Sequence, residues 1–180
     1  MNDKWEKEIS TMVFVKQALR ELDVEKKWSY HFPEVAATEE EILSIERKFG
    51  YRLDESYRSF LKFANGWKGF YQEATLFGTK ELIGSPIFNY ANTMIRVIDD
   101  DVLKASGVSK EELLPIAATI SDKDLFVITG HNSCIPGMVI WFAGEEIERF
   151  SNFNEYFLAM LDYNRAEVED LRRENKMINT

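Results

Sequence analysis

The residues able to do covalent or metal chemistry are few. The chain carries two histidines, His31 and His131, and one cysteine, Cys134. His131 and Cys134 share the segment Gly130-His131-Asn132-Ser133-Cys134. A cysteine nucleophile needs a base within hydrogen-bond reach and a third group to orient that base, and closeness in sequence supplies neither. The plainer reading is a loop between two strands with Cys134 packed as a small hydrophobe. A structural zinc site takes four Cys or His ligands at recognisable spacing, and no such set occurs. The sequence contains no H-E-x-x-H, no Walker-type phosphate loop, no G-x-G-x-x-G opening a helix and no G-x-S-x-G elbow. The expectation is a chain with no catalytic residues, no metal and no cofactor.

Carboxylates are the other candidates. Asp99, Asp100 and Asp101 form a triplet, Asp122 and Asp124 flank a turn, and Glu145, Glu146 and Glu148 sit in and after another turn. None follows the calcium-loop pattern. Paired-carboxylate catalysis needs a concave site that drives the two pKa values apart, whereas solvated turn acids singly serve solubility. Taken together, Asp99, Asp100, Asp101, Asp122, Asp124, Glu145 and Glu146 read as a negative rim that meets a basic partner. The whole chain agrees in sign, with 31 acidic against 22 basic residues and a formal charge of −9. Duplex binding relies on the opposite imbalance, so direct nucleic acid and anionic membrane surfaces are disfavoured. A basic protein is favoured, because opposite fields speed encounter and suppress wrong pairings.

The elements that must carry these groups follow from periodicity. At 180 residues with 45% hydrophobic content, one domain can build its core without disulfides or metal. Trp5, Ile9, Met12, Leu19 and Leu22 mark a helix over about 4–27, with Pro33 in the connection that follows. Thr38 and Glu41 form a capping box for a second helix whose face is Ile42, Ile45 and Phe49, closed by Gly50. Asp54 or its neighbour caps a third, with Tyr57, Phe60, Leu61 and Ala64 inward and Asn65-Gly66 as its stop. The stretch 67–84 reads as short strands or a packed loop; its aromatics Trp67, Phe70, Tyr71 and Phe77 suit a core better than a ligand platform, with Trp67 folding back over the second and third helices. One helix is expected over 89–104, with Tyr90, Met94, Val97 and Ile98 on one side. Strands follow near 113–119, 125–129, 138–142 and 147–150, joined by turns at 122–124 and 143–145 as a meander. Trp141 on the third of them has no face assigned. A last helix starts at a Ser151 cap, buries Phe153, Phe157, Met160 and Leu161, and runs into a charged extension over about 162–177. In that extension Glu169 and Arg173 pair and Val168 and Leu171 dock weakly. This order implies an α+β fold with an antiparallel sheet. The N-terminus lacks an apolar signal segment and one cysteine suits a reducing compartment, so cytoplasmic residence is expected.

The segment 41–66, EILSIERKFGYRLDESYRSFLKFANG, resembles the SUKH superfamily, the Smi/Knr cell-wall-assembly-regulator-like domain. Glu46, Phe49, Gly50, Leu53, Tyr57, Arg58, Phe60, Leu61, Asn65 and Gly66 occupy its pattern, with Trp67 following. LFGTKEL at 76–82 and the order LPIA, DLFVI, GMVIWF and S-x-F-x-E-Y-F are similar to the family downstream, so the resemblance spans about 38–161. It implies a binding protein: bacterial members are mostly immunity proteins that neutralise a cognate toxin, often a basic nuclease. Other members are intracellular regulatory or scaffold modules, and the resemblance leaves that alternative open. It does not identify the toxin, the binding face or the oligomeric state.

Overall fold

A computed structural model describes residues 3–178. Among the described residues seven α-helices and six strands follow in the order α1 (Asp3–Leu22), α2 (Glu39–Phe49), α3 (Glu55–Leu61), β1 (Trp67–Tyr71), β2 (Ala74–Leu76), α4 (Thr79–Leu82), α5 (Pro86–Val97), α6 (Asp100–Ser106), β3 (Leu113–Ala118), β4 (Leu125–Thr129), β5 (Val139–Phe142), β6 (Glu146–Phe150) and α7 (Phe153–Ile178). The strands form one antiparallel meander in the order β1-β2-β3-β4-β5-β6, and the fold is α+β as expected.

Every residue of β3 and β4 is buried. Because successive strand side chains point to opposite faces, helices must cover both sides of the sheet. On one side lies α7, whose Tyr156 and Phe157 rings sit 5.3 Å from those of Phe126 and Phe70 respectively. On the other, α5 brings Phe88 edge-on to Phe77 at 6.0 Å. Pro115 lies inside β3 and cannot donate to a ladder; the register slips between Pro115 and Ala117, leaving Ile116 as the extra residue. The Ile116 carbonyl accepts from Phe77 N at 2.7 Å.

The family-like front segment is locked by polar contacts. Thr38 and Glu41 cap α2 reciprocally, and Gly50 closes it at φ 76°. Glu46 and Arg58 form a buried ion pair at 3.1 Å, and the same Glu46 oxygen accepts from Leu53 N at 3.1 Å. This carboxylate holds α2, the following turn and α3 in one arrangement. Arg58 also reaches Glu39, and its own affinity for its proton is raised, first by that contact. Tyr57 donates to Phe77 O at 2.7 Å. Asn65 does more than stop a helix: its amide bonds the Thr79 hydroxyl and backbone N–H, both at 2.7 Å. A Cβ on Gly78 would lie 1.9 Å from Asn65 O, and one on Gly66, at φ 93°, 2.6 Å from Gly78 N. Trp67 is buried beside Phe70 and donates to His31 O at 2.8 Å, so its indole is anchored on the α1–α2 connection.

Several expected boundaries shift for local reasons. α1 ends at Leu22, not near Lys27, because the Asp23 carboxylate gathers Lys27 N, Trp28 N and the Tyr30 hydroxyl into a loop. The helix expected over 89–104 is two. Ser85 and Pro86 start α5 early, and Asp99 starts α6 by accepting from Asp101 N at 2.8 Å. At α7 the capping oxygen belongs to Asn152, which accepts from Glu155 N at 3.0 Å, rather than to Ser151. Glu169 pairs with Arg172 and Arg173 with Asp170, each three residues apart, in place of a Glu169–Arg173 pair. The charged extension is continuous with α7 and lies along α1, where Val168 and Leu171 are fully packed against Leu19. Asn164, wholly buried, ties these layers together. It donates to Phe70 O and Met160 O and accepts from Lys16 Nζ at 3.2 Å.

Candidate functional site

The acidic turns occupy defined places. Asp99 has its carboxylate engaged in the α6 cap, and Asp100 pairs with Lys110 at 2.8 Å. Asp101 is exposed on the first turn of α6. Asp122 and Lys123 are exposed in the β3–β4 turn. Asp124 is half-buried and accepts from Trp141 Nε1 at 2.8 Å; burial holds its pKa above the usual aspartate range against that hydrogen bond. Trp141 thus stands half-buried, stacked on Phe126 at 5.0 Å, with its polar edge to the turn. Glu145 is exposed in the β5–β6 turn. Glu146 is tied to Arg149 by two contacts of 2.5 Å, and the first cause of its lowered pKa is that bond.

These three segments meet at one groove of about 390 Å³. One wall is α5, presenting Tyr90, Met94, Val97 and Ile98. The other is the end of the β4–β5 ladder, where Leu125 and Phe142 are register partners and therefore share a face. Its rim takes one residue from each acidic segment: Asp99, Lys123 and Gly144, the last beside Glu145. The sequence shows the acids but not the groove, because α5 and the strand ends are far apart in the chain and come together as α5 packs on β3.

A second cleft of about 460 Å³ lies between the α2–α3 turn and the β4–β5 loop. Tyr51, Arg52, Asp54 and His131 line it, with Tyr51 and His131 rings 6.0 Å apart. Asp54 there caps α3 through Ser56 N and Tyr57 N. Cys134 is exposed on the same loop rather than packed as a hydrophobe, since the loop is held through Ser133, Thr129 and Ile135 instead. Among the described residues no group of three or more His, Cys, Asp or Glu is placed to hold a metal ion. No helix there is long and apolar enough to cross a membrane.

Among curated proteins none matches the chain. The family-like features described above, from the Thr38 cap through the Glu46–Arg58 pair and the Asn65–Gly78 lock to the α7 aromatics, all lie within residues 36–159. Those residues match the model of the SMI1 / KNR4 family (SUKH-1), and the chain belongs to that family.

Proposed function

We propose that this protein is an immunity protein, which binds a bacterial toxin domain non-covalently and silences it. The observation that carries the reading is an apolar groove whose rim residues Asp99, Lys123 and Gly144 belong to or adjoin the three acidic segments. A nuclease domain holds phosphates with lysine and arginine, so its working surface is the electrostatic complement of such a rim. Family membership agrees with this role, and a net charge of −9 favours fast capture of a basic partner. In this reading the protein acts in the cytoplasm by surface complementarity, with no chemical turnover.

The test is to look for a toxin-like protein encoded in a neighbouring gene and to co-express the two. The expected result is restored growth together with a stable complex of the two purified proteins. Absence of rescue removes the immunity reading; a complex that leaves the neighbour's activity intact points to the family's regulatory, scaffold-type role.

A further inference from the structure

We propose that the groove between α5 and the β4–β5 ladder seats one apolar side chain of the partner, flanked in the partner by lysine or arginine. This rests on the toxin-binding reading and specifies the epitope that the partner presents.

The wall is unusual for a solvated helix. Ala91 and Ile95 bury the inner face of α5, yet Val97 is 75% exposed on its last turn. Met94 and Ile98 beside it are half-buried. Opposite them Leu125 and Phe142 are buried and form the floor. Apolar surface left open and bordered by charge marks a contact site, and Met94 lets the pocket adapt to different occupants. The border selects the flanks. Asp99 stands on the rim with one carboxylate oxygen in the α6 cap, and the exposed acids Asp122 and Glu145 are the chain neighbours of its Lys123 and Gly144, while Asp124 turns to Trp141 on the other face of the sheet. An anionic lipid or a second copy of this chain, itself at −9, meets repulsion there. A cationic segment with an apolar tip matches both parts.

The experiment is NMR titration of the full chain with three end-blocked peptides. One is Lys-Lys-Leu-Lys-Lys, the second replaces its Leu by Ala, and the third replaces its lysines by Ser. The first peptide is expected to shift Met94, Val97 and Leu125 signals, with the other two bound ~10-fold more weakly, the size of effect typical of an anchor residue. Val97→Asp separates groove from charge. It adds a carboxylate that attracts a cationic peptide while it spoils the apolar wall, and the exposed position tolerates it. Seating in the groove predicts ~10-fold weaker binding by this variant. Equal binding of the Leu and Ala peptides, shifts confined to other surfaces, or tighter binding by Val97→Asp overturns the proposal. Failure of the underlying reading looks different: peptide seating intact but no rescue in co-expression removes toxin neutralisation alone, whereas rescue without peptide seating removes the groove alone.

Discussion

Lys16 shows what a single residue reports about how this molecule is assembled. Its ammonium is buried between α1 and α7, against Asn164 and 5.6 Å from the Tyr30 ring centre. Burial lowers its pKa from 10.5 to about 8, with the Glu167 carboxylate opposing. A lysine depressed in the folded state makes the unfolded chain bind more protons between those two values. Stability therefore rises as pH climbs from about 8 toward 10.5, by up to about 3 kcal/mol. Urea unfolding at pH 8, 9 and 10 is expected to show that rise in the wild type and its loss in Lys16→Met; parallel curves would contradict the assignment. Tyr156 makes a second case. Its hydroxyl is fully buried with no hydrogen-bond partner among the described residues, so Tyr156→Phe is expected to be neutral or to stabilise by ~1 kcal/mol. A loss of that size in thermal unfolding would place a partner on the hydroxyl. Glu46 is the converse: Glu46→Ala leaves the Leu53 N–H without its acceptor and Arg58 with Glu39 as its remaining carboxylate, at an expected cost of about 1–3 kcal/mol. The sequence marked Glu46 as a motif position, but its role depends on Arg58, twelve residues away, becoming its neighbour when α2 and α3 fold together.

At the level of elements, two helix starts were legible because their capping signal is local. Thr38 with Glu41 and Asp54 are seen in the sequence and do the same work in the structure. Ends and breaks were less legible. Nothing in periodicity tells that Asp23 will fold its carboxylate onto three donors and stop α1, or that Asp99 will begin a new helix instead of continuing one. Asn65-Gly66 illustrates the same limit: read as a stop, it is the seat for the Gly78 turn. Replacement of Gly78 tests this. Gly78→Ala drives a Cβ into Asn65 backbone and is expected to cost ~3 kcal/mol, the upper end for overpacking. Gly107→Ala is the control. Its φ of 72° is left-handed but the space around it is open, so only ~1 kcal/mol of backbone strain is expected. Equal midpoint shifts for the two variants would show that close approach is not what Gly78 serves. The terminal helices follow a similar logic: α1 and the end of α7 lie outside the family match, yet Leu19, Val168 and Leu171 pack as their own cluster.

For the molecule as a whole, the sequence revealed a sign of charge and a list of acids, while the fold decides which acids share a surface. Asp100 is neutralised by Lys110 and Glu146 by Arg149, leaving Asp101, Asp122 and Glu145 as exposed carboxylates of the three acidic segments. The account predicts that a protein partner is drawn in by this field before the apolar contact forms. Stopped-flow association with the toxin proposed as its partner, across about 0.05–0.5 M salt, a roughly threefold fall in screening length, measures that directly. The wild type is expected to associate ~10-fold or more slowly at the high end, and the triple variant Asp101→Lys, Asp122→Lys, Glu145→Lys to be slow throughout with a flat salt response. A wild-type rate that is the same at both ends of the series, and unchanged in the triple variant, would contradict capture by this acidic surface.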